Sequence, residues 1–104
     1  MKLTTKASLL ASALMIAAPA AYGDAAEIYN KNCASCHGKD GAGQTTMGKK
    51  QKVKNYTTAE GQKWTDEEGV KTILEGAGKM KGFKDKVSDA EAKDLVKYIR
   101  TFKK

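Results

Sequence analysis

The 104-residue sequence is poor in the residue types that build several common kinds of site. It has two cysteines and one histidine, which is too few for the four ligands of a structural zinc site. Arg100 is the only arginine, so the arginine-rich, aromatic-interleaved pattern of a nucleic-acid binder is missing. Aromatic residues make up only 7% of the chain, which is few for a self-sufficient hydrophobic core. A domain this small usually needs a cross-link, such as a disulfide or a metal, or a cofactor to be stable.

Proline is almost absent as well, and its single occurrence, Pro19, falls in an N-terminal segment of distinct composition. Lys2 and Lys6 give this segment a basic start, residues 9–18 are apolar, and small residues follow up to Gly23. The pattern predicts a secretory signal peptide over residues 1–23, cleaved after Gly23 or, as an alternative, after Ala20. An uncleaved anchor is the other alternative, although the apolar run is shorter than the ~20 residues of a membrane span. We therefore expect one exported, periplasmic domain over residues 24–104.

The net charge of +7 comes mostly from single, scattered lysines. Such a surface suits acidic protein partners or peripheral contact with anionic membranes.

Helix caps and apolar spacing predict an all-α domain with three main helices. The first is expected over Ala25–Asn32, with Asp24 and Glu27 as its capping box. The second is expected over residues 66–75 and the third from residue 89 to the C-terminal end, and their capping boxes are Thr65 with Glu68 and Ser88 with Glu91. Residues 38–64 are expected to form a loop with one short helix near residues 57–62. A loop this long is usually functional or wrapped around something.

Both cysteines and the histidine fall in the five residues from Cys33 to His37, which read Cys-Ala-Ser-Cys-His. Cys-x-x-Cys-His is the pattern of covalent c-type haem attachment. One helical turn separates Cys33 from Cys36, so both sulfurs can add to the two vinyl groups of one haem. His37 can then offer an imidazole nitrogen to the iron from the same side. A plain disulfide or another non-haem thiol protein is the alternative, and neither explains the adjacent histidine.

A six-coordinate iron needs a second axial ligand, and a methionine thioether is one option that raises the reduction potential. Residues 24–104 offer Met47 and Met80. Met80 lies in a glycine-rich loop between two predicted helices and can reach the far side of the haem, so we favour it over Met47, which follows His37 by ten positions.

Over nearly its whole length after residue 23, the chain resembles the small class I c-type cytochromes. The stretches that carry this resemblance are residues 28–38, 41–43, 78–83 and 94–100, in that order. The resemblance implies a small cytochrome c fold, in which helices surround one covalently bound haem c and the N- and C-terminal helices cross. It places Ala25 at that crossing, facing Tyr98 or Leu95.

Two departures from the family pattern concern proline. The family usually has proline after the ligand methionine, where this chain has Lys81, so the loop lacks that restraint. Many members also have a proline whose carbonyl accepts the N–H of the axial histidine. Here another backbone carbonyl must accept it, and Gly48 to Lys50 are the candidates.

The predicted site indicates a one-electron carrier rather than an enzyme. In it, the haem is attached to Cys33 and Cys36, and the axial ligands are His37 and Met80. We expect a monomer with acidic redox partners, such as a terminal oxidase or reductase, and no nucleic acid. The alternative is a haem-based gas sensor or weak peroxidase with a labile sixth ligand.

Overall fold

The computed structural model of the chain describes residues 23–104, so the predicted signal peptide lies outside the described residues except for Gly23. Helices dominate this part, as the all-α prediction requires. In chain order the elements are α1 (Gly23–Asn32), α2 (Ala34–His37), α3 (Thr46–Gln51), a 3-10 turn (Glu60–Gln62), α4 (Asp66–Glu75), β1 (Gly76–Ala77), β2 (Met80–Lys81) and α5 (Asp89–Arg100).

The capping boxes of the two long C-terminal helices are confirmed. The Thr65 side chain accepts from the Glu68 N–H at the start of α4, and the Glu68 carboxylate accepts from the Thr65 N–H. Ser88 and Glu91 form the same reciprocal pair at the start of α5. Each pair satisfies two N–H groups that a helix start leaves without partners.

The predicted start of the first helix is wrong. The helix already includes Gly23, so Asp24 lies inside its first turn instead of capping it. A carboxylate in that position still favours the helix, because it faces the positive end of the helix dipole.

The long segment between α2 and α4 contains more structure than the sequence predicts. Residues 46–51 form α3, and Thr45 caps its N-terminus with a side chain that accepts from the Gly48 N–H. The short helix expected near residues 57–62 is a 3-10 turn over Glu60–Gln62. The loop that carries Met80 contains a small antiparallel hairpin, in which Ala77 pairs with Met80.

The core lies where α1 packs against α5. Ala25, Tyr29 and Leu95 are each no more than 1% exposed. The Tyr29 ring meets the Tyr98 ring edge-on with 5.5 Å between centroids, and it lies 5.1 Å from the Phe102 ring. This contact joins the two ends of the domain, as the resemblance implies, and it fixes the helix that leads into the Cys33–His37 turn.

None of the helices between residues 23 and 104 has the length and apolar character of a membrane-spanning segment.

Candidate haem site

The Cys33–His37 segment forms a single tight helical turn. The His37 N–H donates to the Cys33 carbonyl at 2.9 Å, and Cys33 precedes the first residue of α2. The two cysteines therefore lie one turn apart, as the sequence predicts, and both thiols are free. The fully buried Tyr29 hydroxyl donates to the Gly38 carbonyl at 2.7 Å, which ties α1 to the end of this turn.

A second support reaches the turn from α3. The Thr45 hydroxyl donates to the Cys36 carbonyl at 2.8 Å and also accepts from the Gly48 N–H. Gly48 comes so close to the turn that a Cβ atom there would lie 2.1 Å from the Cys36 carbonyl oxygen. Only glycine allows α3 to pack this closely, and the sequence signal for this role is a glycine inside a short helix that opens with a threonine cap.

A cleft with about 550 Å³ of free space, part of it open to solvent, lies beside the turn. Cys33 and His37 line it from the turn, and Met80 lines it from the hairpin. Met47 does not line it; this side chain is 45% exposed on α3. Three of the four predicted site residues thus meet in one cleft, and the fourth, Cys36, lies on the turn that borders it.

The loop that carries Met80 is held by backbone contacts in place of the missing proline. Met80 belongs to the hairpin, after which the chain returns to the end of α4. There the Phe83 N–H donates to the Ile73 carbonyl at 2.8 Å, and the Lys84 N–H donates to the Leu74 carbonyl at 3.2 Å. Phe83 is buried directly after this return. These contacts restrain Met80, which is half-buried, without a fixed φ angle at position 81.

His37 is the only buried charged or polar residue among the described core positions. Burial holds the pKa of its imidazole below the usual value, and the nearby Lys54 backbone carbonyl, which favours the protonated ring, offsets this only in part. Nδ1 is buried and makes no hydrogen bond of ordinary geometry. None of the expected acceptors, Gly48 to Lys50, bonds to it. The Gly48 and Lys49 carbonyls accept instead from the N–H groups of residues 52 and 53.

Two aromatic side chains that the sequence did not single out form another wall of the cleft. The Tyr56 ring stacks on the His37 imidazole, with centroids 4.9 Å apart and planes 24° apart. The Trp64 ring meets Tyr56 edge-on at 6.0 Å. Burial raises the pKa of Tyr56 to about 12, so its hydroxyl stays neutral at physiological pH. Their only sequence signal is that aromatic residues are rare in this loop.

The residues around the cleft fit a c-type haem. Two free thiols one helical turn apart can each add to a vinyl group, and a buried imidazole with an unpaired ring nitrogen lies beside them. Burial, and then the neighbouring Cys36, raises the pKa of Cys33 to about 11, as expected for a thiol on an apolar wall. Ile73 and Ile99 add aliphatic surface, which suits a large flat apolar group.

Comparison with known proteins points to the same class of protein. Residues 20–99 match the family described as cytochrome C oxidase, cbb3-type, subunit III. The chain is 39% identical over 73 residues to cytochrome c6 of Leptolyngbya boryana, which covers 70% of this chain and 82% of that protein. A solved structure of KustC0563, a c-type cytochrome, superposes with a TM-score of 0.72 at 36% identity, covering 77% of this chain and 98% of the other.

The resemblance seen in the Cys33–His37 motif thus extends over most of the chain in sequence and in fold. The chain belongs to the family described as cytochrome C oxidase, cbb3-type, subunit III, and it is a small, all-α class I c-type cytochrome whose covalently bound haem c serves electron transfer.

Proposed function

We propose that the protein is an exported one-electron carrier, in which Cys33 and Cys36 hold the haem through thioether bonds and His37 and Met80 are the axial ligands of its iron. The observation that carries this proposal is the cleft that His37 and Met80 line together, while Met47 lies outside it in solvent. With both axial positions filled, no open site for a substrate is left, and outer-sphere electron transfer is the chemistry that the haem supplies.

The protein's own residues hold this site in three ways. The Tyr29 and Thr45 hydroxyls fix the carbonyls of the attachment turn, which positions His37. The hairpin and its return to α4 position Met80. With haem bound, the apolar walls would limit the access of water to the iron, and the electrostatic environment they create would contribute to the reduction potential.

The ligation can be tested by spectroscopy of the purified protein. A haemochrome spectrum that survives denaturation establishes covalent attachment. The ferric protein should then show the near-infrared charge-transfer band of methionine-to-iron ligation, and the ferrous protein should bind carbon monoxide only slowly. Rapid carbon monoxide binding, with no such band, would instead indicate a gas sensor or weak peroxidase with a labile sixth ligand.

The protein's location and partners belong to the same proposal. A cleaved signal peptide over residues 1–23 would deliver residues 24–104 to the periplasm as a soluble monomer, and N-terminal sequencing of the exported protein tests the cleavage site. The family description names an oxidase subunit, which supports a terminal oxidase as one partner. An acidic docking surface on that partner would complement the positive charge of this chain.

Four exposed lysines near the predicted haem edge would steer that partner: Lys39, Lys79, Lys81 and Lys84. Electron transfer to an acidic partner should therefore slow as ionic strength rises. Lys79→Glu should lower the association rate more than Lys93→Glu, a matched charge reversal at an exposed position of α5. Equal rates for both variants, or rates independent of salt, would contradict steering at this edge.

A further inference from the structure

Arg100, near the C-terminal end of α5, connects that helix to one wall of the cleft. Its guanidinium makes five hydrogen bonds, and all the acceptors lie in residues 62–66. It donates to the Gln62 carbonyl at 2.8 Å, to the Trp64 carbonyl at 2.6 Å and to the Asp66 carboxylate at 2.9 Å. These contacts hold the backbone on both sides of Trp64.

The same guanidinium also covers the Trp64 ring, since its central carbon lies 3.8 Å from the ring centroid. This is a close cation–π contact. The indole N–H donates to the Gly61 carbonyl at 2.7 Å. The ring also packs against Gly69, where a Cβ atom would lie only 2.4 Å from it. Arg100, Gly61 and Gly69 therefore hold Trp64 by separate contacts.

Trp64 in turn contacts the residue that stacks on His37. The Trp64 and Tyr56 rings meet edge-on, and the Tyr56 and His37 rings stack at 4.9 Å. A continuous row of planar groups thus runs from the end of α5 to the imidazole in the cleft. Its members, in order, are Arg100, Trp64, Tyr56 and His37.

We propose that Arg100 is a positioning residue of the haem site, which acts through Trp64 and Tyr56 to fix the cleft wall beside His37. This role rests on the proposed ligation by His37. It requires a guanidinium, because a planar group can stack on the indole while its separate N–H groups donate to several acceptors, which an ammonium cannot do. The ion pair with Asp66 is not the main contribution, because the Asp66 side chain is 73% exposed.

The test uses NMR of the haem-containing protein, in which Trp64, the only tryptophan, gives a single indole N–H signal. Two quantities are measured in folded protein: the exchange rate of this hydrogen with solvent, and the difference in its chemical shift between the ferric and ferrous states. The shift difference depends on the position of the indole relative to the iron. The variants are Arg100→Lys and Arg100→Leu, with Lys97→Gln as a control that removes a charge from the same helix.

Both Arg100 variants should speed exchange of the indole hydrogen by about tenfold or more, since the stack and the hydrogen bonds around Trp64 are weakened together. Both should also alter the shift difference, whereas Lys97→Gln should leave both quantities as in the wild type. Asp66→Asn should likewise leave both nearly unchanged, because it keeps the stack and the bonds to the two carbonyls.

If Arg100 had a purely structural role, its replacement would lower the free energy of unfolding but leave the shift difference of the folded protein at its wild-type value. That result for Arg100→Leu would overturn the proposal. A wild-type exchange rate together with a wild-type shift difference in Arg100→Lys would overturn it as well. If Arg100→Leu does not fold, Arg100→Lys decides alone. A wild-type protein without any shift difference would instead contradict the placement of haem in this cleft, and unchanged exchange in the variants would still overturn the role of Arg100.

Discussion

Replacing Gly48 by alanine should have two opposite effects on the free energy of unfolding. Gly48 lies inside α3, where alanine is normally more favourable than glycine by about 1 kcal/mol. The added Cβ, however, would lie 2.1 Å from the Cys36 carbonyl oxygen and 2.7 Å from the Gly43 carbonyl oxygen. Since ordinary contacts begin at 3.4 Å, the first of these is more than 1 Å too short.

The steric overlap should outweigh the gain in helix propensity, because both nearest atoms are backbone oxygens that cannot rotate away. Overpacking of this kind typically costs about 1–3 kcal/mol. Moving α3 away would also weaken the bond from the Thr45 hydroxyl to the Cys36 carbonyl, which contributes about 1 kcal/mol. After the helix-propensity gain is subtracted, Gly48→Ala should lower the free energy of unfolding by on the order of 2 kcal/mol.

Urea unfolding of the ferric, haem-containing protein, followed by haem absorbance, measures this loss. Lys50→Ala is the matched control, because Lys50 is exposed on the same helix, and it should change the free energy by less than about 0.5 kcal/mol. A Gly48→Ala protein as stable as the wild type, or more stable, would refute the claim that α3 packs directly on the attachment turn.

Two further substitutions test other supports of the site and fold. Tyr29→Phe removes the donor to the buried Gly38 carbonyl and should lower the free energy of unfolding by about 1–3 kcal/mol. Tyr98→Phe is the control and should cost less. Equal losses in denaturant titrations would contradict the claim that the Tyr29 hydroxyl stabilises the attachment turn. Ser88→Ala removes the cap of α5 and should cost about 1 kcal/mol, whereas Ser88→Asp should retain most of the stability; a midpoint for Ser88→Ala that matches the wild type would contradict it.

The features that could be predicted from sequence are those set by neighbouring residues. The capping boxes of α4 and α5 depend on two residues three positions apart, so both helix starts were predicted correctly. The spacing of Cys33, Cys36 and His37 on one turn is equally local. The family pattern added the order of the later stretches, including the loop that brings Met80 to the cleft.

The features that sequence reasoning missed depend on contacts across the chain. From the sequence alone, Gly69 would only lower the helix propensity of α4, but the structure shows that the Trp64 ring occupies the space a side chain would need. The fit between α3 and Cys36 is of the same kind, because a glycine in a short, threonine-capped helix does not reveal which distant segment packs against it. Arg100 looks like a favourable charge at a helix end, while its partners lie 34 to 38 residues away.

The central claim is that Met80 completes the axial ligation begun by His37. The most direct measurement is the near-infrared spectrum of ferric Met80→Ala beside that of ferric Met47→Ala, which removes the exposed methionine of α3. We expect the methionine-to-iron band to disappear in Met80→Ala, with a lower reduction potential, and to persist unchanged in Met47→Ala. A band that survives in Met80→Ala, or disappears in Met47→Ala, would contradict the account.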